Sequence, residues 1–310
     1  MTKVYDVMII GAGPAGMTAA LYATRANLKV LLLDRGPYGG QMNNTDVVDN
    51  YPGYLDIKGP ELSEKMFQTL GKFQPDFEYG DVQKVTLDGD NKVVTTDTGA
   101  YTAPVLIIAS GAAHRHLGVP GEEDYAGRGV SYCAVCDGAF FKNEDVAVVG
   151  GGDSALEEGL YLAQLAKSVT VIHRRDQLRA QPWLQDLAKQ NDKVHFVWNA
   201  LTDEIAGDGQ KVSGVHYHDK LTDKSGVVSA SGVFIYVGIE PQTSVFRELG
   251  ITNEAGWINT NEDMRTTVPG IYAVGDVRDK HLRQIANAVG DGSIAGQDAF
   301  SYLQKLKHGD

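Results

Sequence analysis

Short apolar runs alternate with glycine-rich breaks along this chain, and the same order occurs twice. Val7-Met8-Ile9-Ile10 is an unbroken apolar run of the kind carried by a parallel strand buried on both faces. Gly11-Ala12-Gly13-Pro14-Ala15-Gly16 follows, then a stretch from Met17 to about Arg25 that predicts a helix. A second apolar run, Val30 to Leu33, ends at Asp34, which lies 18 residues after Gly16. Strand, glycine turn, helix, strand and acid in this order suit a dinucleotide. The glycines permit a tight turn and close approach of backbone to a pyrophosphate. The start of the helix offers N–H groups, and the acid accepts from a ribose hydroxyl. A glycine motif alone is a weak signal, more often an ordinary turn; the flanking elements in register give it meaning.

The pattern recurs 139 residues later. Val146-Ala147-Val148-Val149 leads into Gly150-Gly151-Gly152-Asp153-Ser154-Ala155, then a helical segment from Leu156 to about Ala166 and a strand from Val169 to Ile172. From Gly11 to Asp34 is 23 residues, and from Gly150 to His173 is also 23. The second copy has His173-Arg174-Arg175 in place of the acid, with Arg179 one helical turn further on. A carboxylate there would repel a 2′-phosphate, whereas arginines accept it with charge-assisted hydrogen bonds. The second turn is therefore expected to take NADP(H) rather than NAD(H). The alternative for these arginines is a solvated start of a helix.

Two further apolar runs look duplicated: Val105 to Ile108, followed by Ala109-Ser110-Gly111, and Val233 to Val237, followed by Gly238. Small residues at a strand end let backbone sit close to a cofactor. Residues 77–102 and 194–231 alternate apolar and polar positions as hairpins do, with Asp88-Gly89-Asp90-Asn91 as one turn. The expected fold is α/β, with two Rossmann-like units, each a parallel sheet plus a β-meander. Crossings between them fall near 112–118 and 239–246. The tail breaks the symmetry: Ile271-Tyr272-Ala273-Val274-Gly275-Asp276 is another strand, followed by a helical stretch from Ile285 to about Leu306, but no third glycine turn precedes it. If this segment returns to the first unit, the second is an insertion in it.

Composition narrows the function. The 310 residues suit about two domains, and with 43% apolar and 22% charged residues the chain is ordinary globular material. Glycine, 36 residues or about 12%, exceeds the average of about 7%, in keeping with turns that approach a ligand. A net charge of −12 argues against a general nucleic-acid or anionic-membrane binder. No apolar run approaches the roughly 20 residues of a spanning helix, and the N-terminus lacks a signal core. A soluble, cytoplasmic protein is expected.

Cys133 and Cys136 are the only cysteines. Their C-x-x-C spacing brings the sulfurs within disulfide reach and allows a lowered thiol pKa. A structural zinc would need His114 and His116 as further ligands, at an irregular spacing, and two inert thiols are the other alternative. A hydride donor on the same chain favours a redox disulfide. Asp137 could supply or take the proton that opening a disulfide requires, or could be a surface acid capping a helix. A nicotinamide reduces a disulfide most readily through a flavin, so the first turn, with Asp34 and then Arg35, suits the adenosine half of FAD.

These residues resemble the bacterial-type, low-molecular-weight thioredoxin reductases over essentially the whole chain. The landmarks are the two glycine turns, Gly39-Gly40-Gln41, Asn50-Tyr51-Pro52-Gly53, Cys133-Ala134-Val135-Cys136-Asp137, His173-Arg174-Arg175-Asp176, and Gly275-Asp276 with Arg283-Gln284. Ala-Val between the cysteines and Asp153-Ser154 in the second turn are small departures from the family pattern. The resemblance implies an FAD domain over 1–113 and 244–310 and an NADPH domain over 114–243, with one domain swinging against the other in a homodimer. FAD would be contacted at Gly11, Gly13, Pro14, Ala15, Asp34, Arg35, Gly40 and Gln41. Further FAD positions would be Asn50, Ala109, Gly111, Gly275, Asp276, Arg283, Gln284 and Ile285. NADPH would be contacted at Gly151, Gly152, Asp153, Ser154, His173, Arg174, Arg175 and Arg179. Electrons would pass from NADPH to FAD to the disulfide to thioredoxin, with Cys136 facing the flavin, Cys133 attacking thioredoxin and Asp137 as acid. A flavoprotein partner of a peroxidase would carry an extra N-terminal redox domain, for which Gly11 leaves no room. A ferredoxin reductase on this fold would lack the cysteines, and a nucleotide-binding redox sensor would show no turnover with any disulfide protein.

Overall fold

The computed structural model describes residues 2–45 and 47–309; Met1 and Asp310, the outermost residues of the expected FAD domain, lie outside the described residues, as does Asp46. The chain divides into two compact units, one of residues 1–113 and 240–310, the other of residues 114–239. It passes between them on the strands Ala112–His114 and Ile239–Pro241, which pair with each other. The second crossing falls within the 239–246 stretch read from the sequence, four residues before the boundary at 244 that the resemblance implies, and the chain beyond it serves the first core. Phe246, Ile251 and Ile258 are buried there against Met8, Leu31 and Leu106.

In the first unit five parallel strands lie in the order Ile271–Ala273, Val105–Ile108, Val7–Ile10, Val30–Asp34 and Asp76–Tyr79. Val7–Ile10 and Val105–Ile108 are buried throughout, as unbroken apolar runs in the centre of a sheet covered on both faces must be. One face carries the helices Pro14–Arg25, Gly59–Gly71 and Ile285–His308. On the other lies a four-stranded layer in the order Lys3–Val4, Ala100–Ala103, Asn91–Thr96 and Val82–Asp88. The tail thus completes the first unit, and Ile271–Ala273 becomes its edge strand.

The second unit repeats this plan. Its parallel sheet runs Val130–Ser131, Gly232–Tyr236, Asp145–Gly150, Ser168–Ile172 and Val194–Val197. Helices Asp153–Leu165 and Pro182–Gln190 cover one face. A meander of Ala200–Gly207, Val212–Asp219 and Ser225–Ser229 covers the other. In both units the first strand of each presumed hairpin region, Asp76–Tyr79 and Val194–Val197, leaves the meander and joins the parallel sheet. Alternation along a short edge strand looks the same in either setting, so only pairing separates the two. Among the described residues no helix is long and apolar enough to cross a membrane.

Candidate active site

Parallel strands bring their C-terminal ends to one edge of a sheet, where an open α/β sheet receives ligands. In the first unit that edge collects Gly11, Asp34, Ala109, Gly111, Gly275 and Asp276, each at or just beyond the end of a strand. Gly11 has φ +105°, and a Cβ there would collide with the Ala109 carbonyl oxygen, so the turn closes tightly only with glycine. Nothing lies within 4 Å of where a Cβ on Gly13 or Gly111 would stand, which leaves the cradle open at those two points. Gly13 caps the helix and Pro14 opens it, with Ala15 buried behind. Asp34 accepts from Ala12 N–H at 2.6 Å and from Gly36 N–H at 2.9 Å, which fixes its carboxylate beside the turn. Arg35, next in the chain, is exposed.

The other expected FAD residues gather around this edge. Gly40 and Gln41 begin a 3-10 turn, Gly40–Asn44, and the Gln41 amide donates to the Ala112 carbonyl at 3.1 Å. Asn50 donates to the Gln284 side chain at 3.1 Å, just before Ile285 starts the last helix. Arg283 lies over the Trp257 ring at 3.9 Å and reaches the Asp276 carbonyl oxygen at 3.3 Å. Asp276 Oδ1 is buried with no hydrogen-bond partner. Burial raises the Asp276 carboxyl above the usual range, with Lys280 and Arg283 pulling it back. A buried acceptor without a donor is costly unless a ligand hydroxyl or amide completes it, and this orphan at the open edge fits FAD. Asp291 was not legible in the sequence. From the last helix it accepts from Gly275 N–H at 3.0 Å, Arg278 at 2.8 Å and Lys280 at 3.1 Å, and so holds the Gly275-Asp276 turn.

In the second unit the equivalent edge carries the other glycine turn. Nothing stands within 4 Å of a Cβ on Gly152, whereas the place of a Cβ on Gly151 is filled by the His173 ring. His173 is buried, with Nε2 3.0 Å from the Gln177 carbonyl oxygen, and burial holds its pKa below the ordinary imidazole value. His173 therefore supports the turn from beneath, unlike Asp34 in the first copy. Arg179 N–H donates to the Gly151 carbonyl at 2.7 Å, and Asp153 accepts from Gln181 N–H at 2.7 Å. Ser154 follows Asp153 in the first turn of the helix. Arg174, Arg175 and Arg179 are exposed in the stretch that follows the strand Ser168–Ile172.

Cys133 and Cys136 form a disulfide, their Cα atoms 5.3 Å apart, on the short helix Ala134–Asp137 that Cys133 caps. Cys136 N–H points at Cys133 Sγ, 3.2 Å away. This helix follows the edge strand Val130–Ser131, whose place in the second sheet is the one Ile271–Ala273 holds in the first. The disulfide thus takes up the station at which the first unit carries Gly275-Asp276. Asp137 N–H donates to the Cys133 carbonyl at 3.1 Å, and the Asp137 carboxylate accepts from the buried Ser131 hydroxyl at 2.5 Å. Ser131 in turn accepts from Cys133 N–H at 3.1 Å. Asp137, Ser131 and the Cys133 backbone are therefore tied into one framework. Among the described residues no cluster of side chains could hold a metal, and the disulfide replaces the zinc alternative.

Comparison with known proteins agrees with this geometry. The pyridine nucleotide-disulphide oxidoreductase family matches residues 5–292. Thioredoxin reductase of Listeria monocytogenes is 55% identical over 305 residues, covering 98% of this chain and 96% of that protein. Thioredoxin reductase of Bacillus subtilis is 53% identical, with the same coverage of both chains. The crystal structure of thioredoxin reductase from Streptococcus pyogenes superposes with a TM-score of 0.95 at 56% identity, over 98% of this chain and all of that one. The chain belongs to the pyridine nucleotide-disulphide oxidoreductases.

Proposed function

We propose that the chain acts as a thioredoxin reductase, passing electrons from NADPH through FAD to the Cys133–Cys136 disulfide and on to oxidised thioredoxin. The observation that carries this reading is the disulfide at the ligand-receiving edge of the second sheet, beside a glycine turn followed by exposed arginines. The open positions at Gly13 and Gly111, the Asp34 carboxylate and the orphaned Asp276 oxygen suit FAD in the first unit. Gly152, Arg174, Arg175 and Arg179 suit NADPH in the second. Bound FAD supplies the two-electron relay that a nicotinamide and a disulfide need between them.

The protein's own residues then carry the exchange. Reduction of the disulfide takes two electrons and one proton, leaving one thiol and one thiolate. The Cys133 thiolate attacks one sulfur of the thioredoxin disulfide, forming a mixed disulfide and releasing the other sulfur as a thiolate. Cys136 then attacks Cys133, which restores the internal disulfide and frees reduced thioredoxin. Asp137, held by Ser131, exchanges the protons of these steps. The protein works as a homodimer in the cytoplasm. A reducing compartment suits a chain whose only two cysteines form the catalytic pair, and the dimer follows the family resemblance. Sedimentation velocity at micromolar concentration checks the dimer.

Replacing Arg174 and Arg175 by Ala should remove charge-assisted bonds of about 1.5–3 kcal/mol each. KM for NADPH should then rise tenfold or more, with little change for NADH. Equal effects on both nucleotides would reject the 2′-phosphate reading.

A further inference from the structure

The disulfide helix starts on two part-buried polar groups that the exchange above does not use. Ala134 N–H, in the peptide that joins Ala134 to Cys133, donates to Glu158 Oε2 at 2.6 Å and to Tyr236 Oη at 2.9 Å. The Tyr236 hydroxyl donates to the same Glu158 oxygen at 2.8 Å. Two donors converge on Oε2, an arrangement suited to an ionised carboxylate. Glu158 comes from the helix behind the second glycine turn, and Tyr236 from the end of the strand Gly232–Tyr236, where it pairs with Gly150. The three elements that build the nucleotide site and the redox helix thus meet at one carboxylate.

We propose that Glu158 and Tyr236 are positioning residues for the redox centre, which place a negative charge against the Cys133–Ala134 peptide and so set the balance between disulfide and dithiol. This rests on the reading of Cys133–Cys136 as a working redox pair. The disulfide is neutral, whereas its reduced form carries a thiolate once the pH exceeds the thiol pKa. A carboxylate held against the peptide that follows Cys133 disfavours a second negative charge on the pair and keeps it strongly reducing. The charged and titratable groups facing Glu158 and Tyr236 are Glu157 on the same helix and Asp137 on the redox helix. Both are acids, so neither offsets the charge on Glu158. Burial pushes the Glu158 carboxyl up, while the Tyr236 hydroxyl and Ala134 N–H hold it down. Loss of Tyr236 should therefore weaken the ionised form.

The test equilibrates FAD-loaded protein with dithiothreitol buffers between pH 6 and 9 and traps the thiols. Glu158→Gln keeps the size and an acceptor but removes the charge. Its equilibrium should shift toward dithiol by about threefold to tenfold at pH 8, a tenfold shift being about 30 mV for a two-electron couple. The shift should fade toward pH 6, where the thiols are neutral in both proteins. Tyr236→Phe should move the equilibrium the same way by a smaller factor. Thiol alkylation rates should show a lower thiol pKa in both variants. Equilibria within twofold of wild type across the pH range, in variants with native unfolding curves, would overturn the proposal and leave Glu158 a structural brace. If NADPH fails to reduce the disulfide of the wild-type protein at all, the functional reading itself falls.

Discussion

At the scale of single residues, the site is made by side chains and missing side chains that leave the backbone no choice. Gly11 is the clearest case, because its positive φ and the Ala109 carbonyl exclude a Cβ independently. Gly11→Ala should destabilise the first unit by about 3 kcal/mol or more, since both backbone strain and overlap act at once. A urea unfolding curve, read with the FAD content of the purified protein, checks this; a midpoint unchanged from wild type would contradict it. His173 makes a prediction about pH. Its folded-state pKa lies below the ordinary value of 6.5, so in the interval between the two the unfolded chain takes up a proton that the fold refuses. Stability from the neutral ring is therefore complete above about pH 6.5 and declines as the pH falls through that interval. The melting temperature should drop between pH 7.5 and 5.5, and drop less in His173→Gln. The two curves running parallel would remove His173 from the account.

At the scale of elements, small residues decide how the layers meet. The helix Ile285–His308 lies against Pro14–Arg25 through Gly292 and Gly296, and a Cβ on Gly296 would stand 2.5 Å from the Ala19 carbonyl oxygen. Gly296→Val should push the helices apart at a cost of roughly 1–3 kcal/mol, as overpacking in a close-packed layer does. Since this helix also carries Asp291, the variant should release FAD at a lower urea concentration than wild type. Both glycine turns, their strands and helices, and the disulfide pair were legible because local spacing encodes them. Elements whose role depends on distant pairing were not. Val130–Ser131 is too short to signal a strand, yet its pairing with Gly232–Tyr236 positions the disulfide. Ser131, Glu158, Tyr236 and Asp291 look like ordinary polar residues in sequence, and only the folded layers bring them to Cys133, Ala134 and Gly275. His173 was legible as a position but not as a direction: the matching 23-residue spacing located it, while its ring turned inward.

At the scale of the whole molecule, one plan is used twice with the chain cut at different places. In the first unit the edge strand comes last and ends in Gly275-Asp276; in the second it comes first and ends at the disulfide. The first unit closes its own sheet and core from residues on both sides of the insertion. Because the crossing strands pair with each other, a short Gly-Ser linker in place of residues 114–239 should leave a folded protein that retains FAD. Loss of flavin from that shortened chain would show that the first unit depends on the second. The central claim is that electrons leave through Cys133 to thioredoxin, and the rate of NADPH oxidation by FAD-loaded protein, with and without an oxidised bacterial thioredoxin, tests it most directly. A thioredoxin-dependent rate that vanishes in Cys133→Ser is expected; NADPH oxidation indifferent to thioredoxin, or undiminished in that variant, would show that the electrons leave elsewhere.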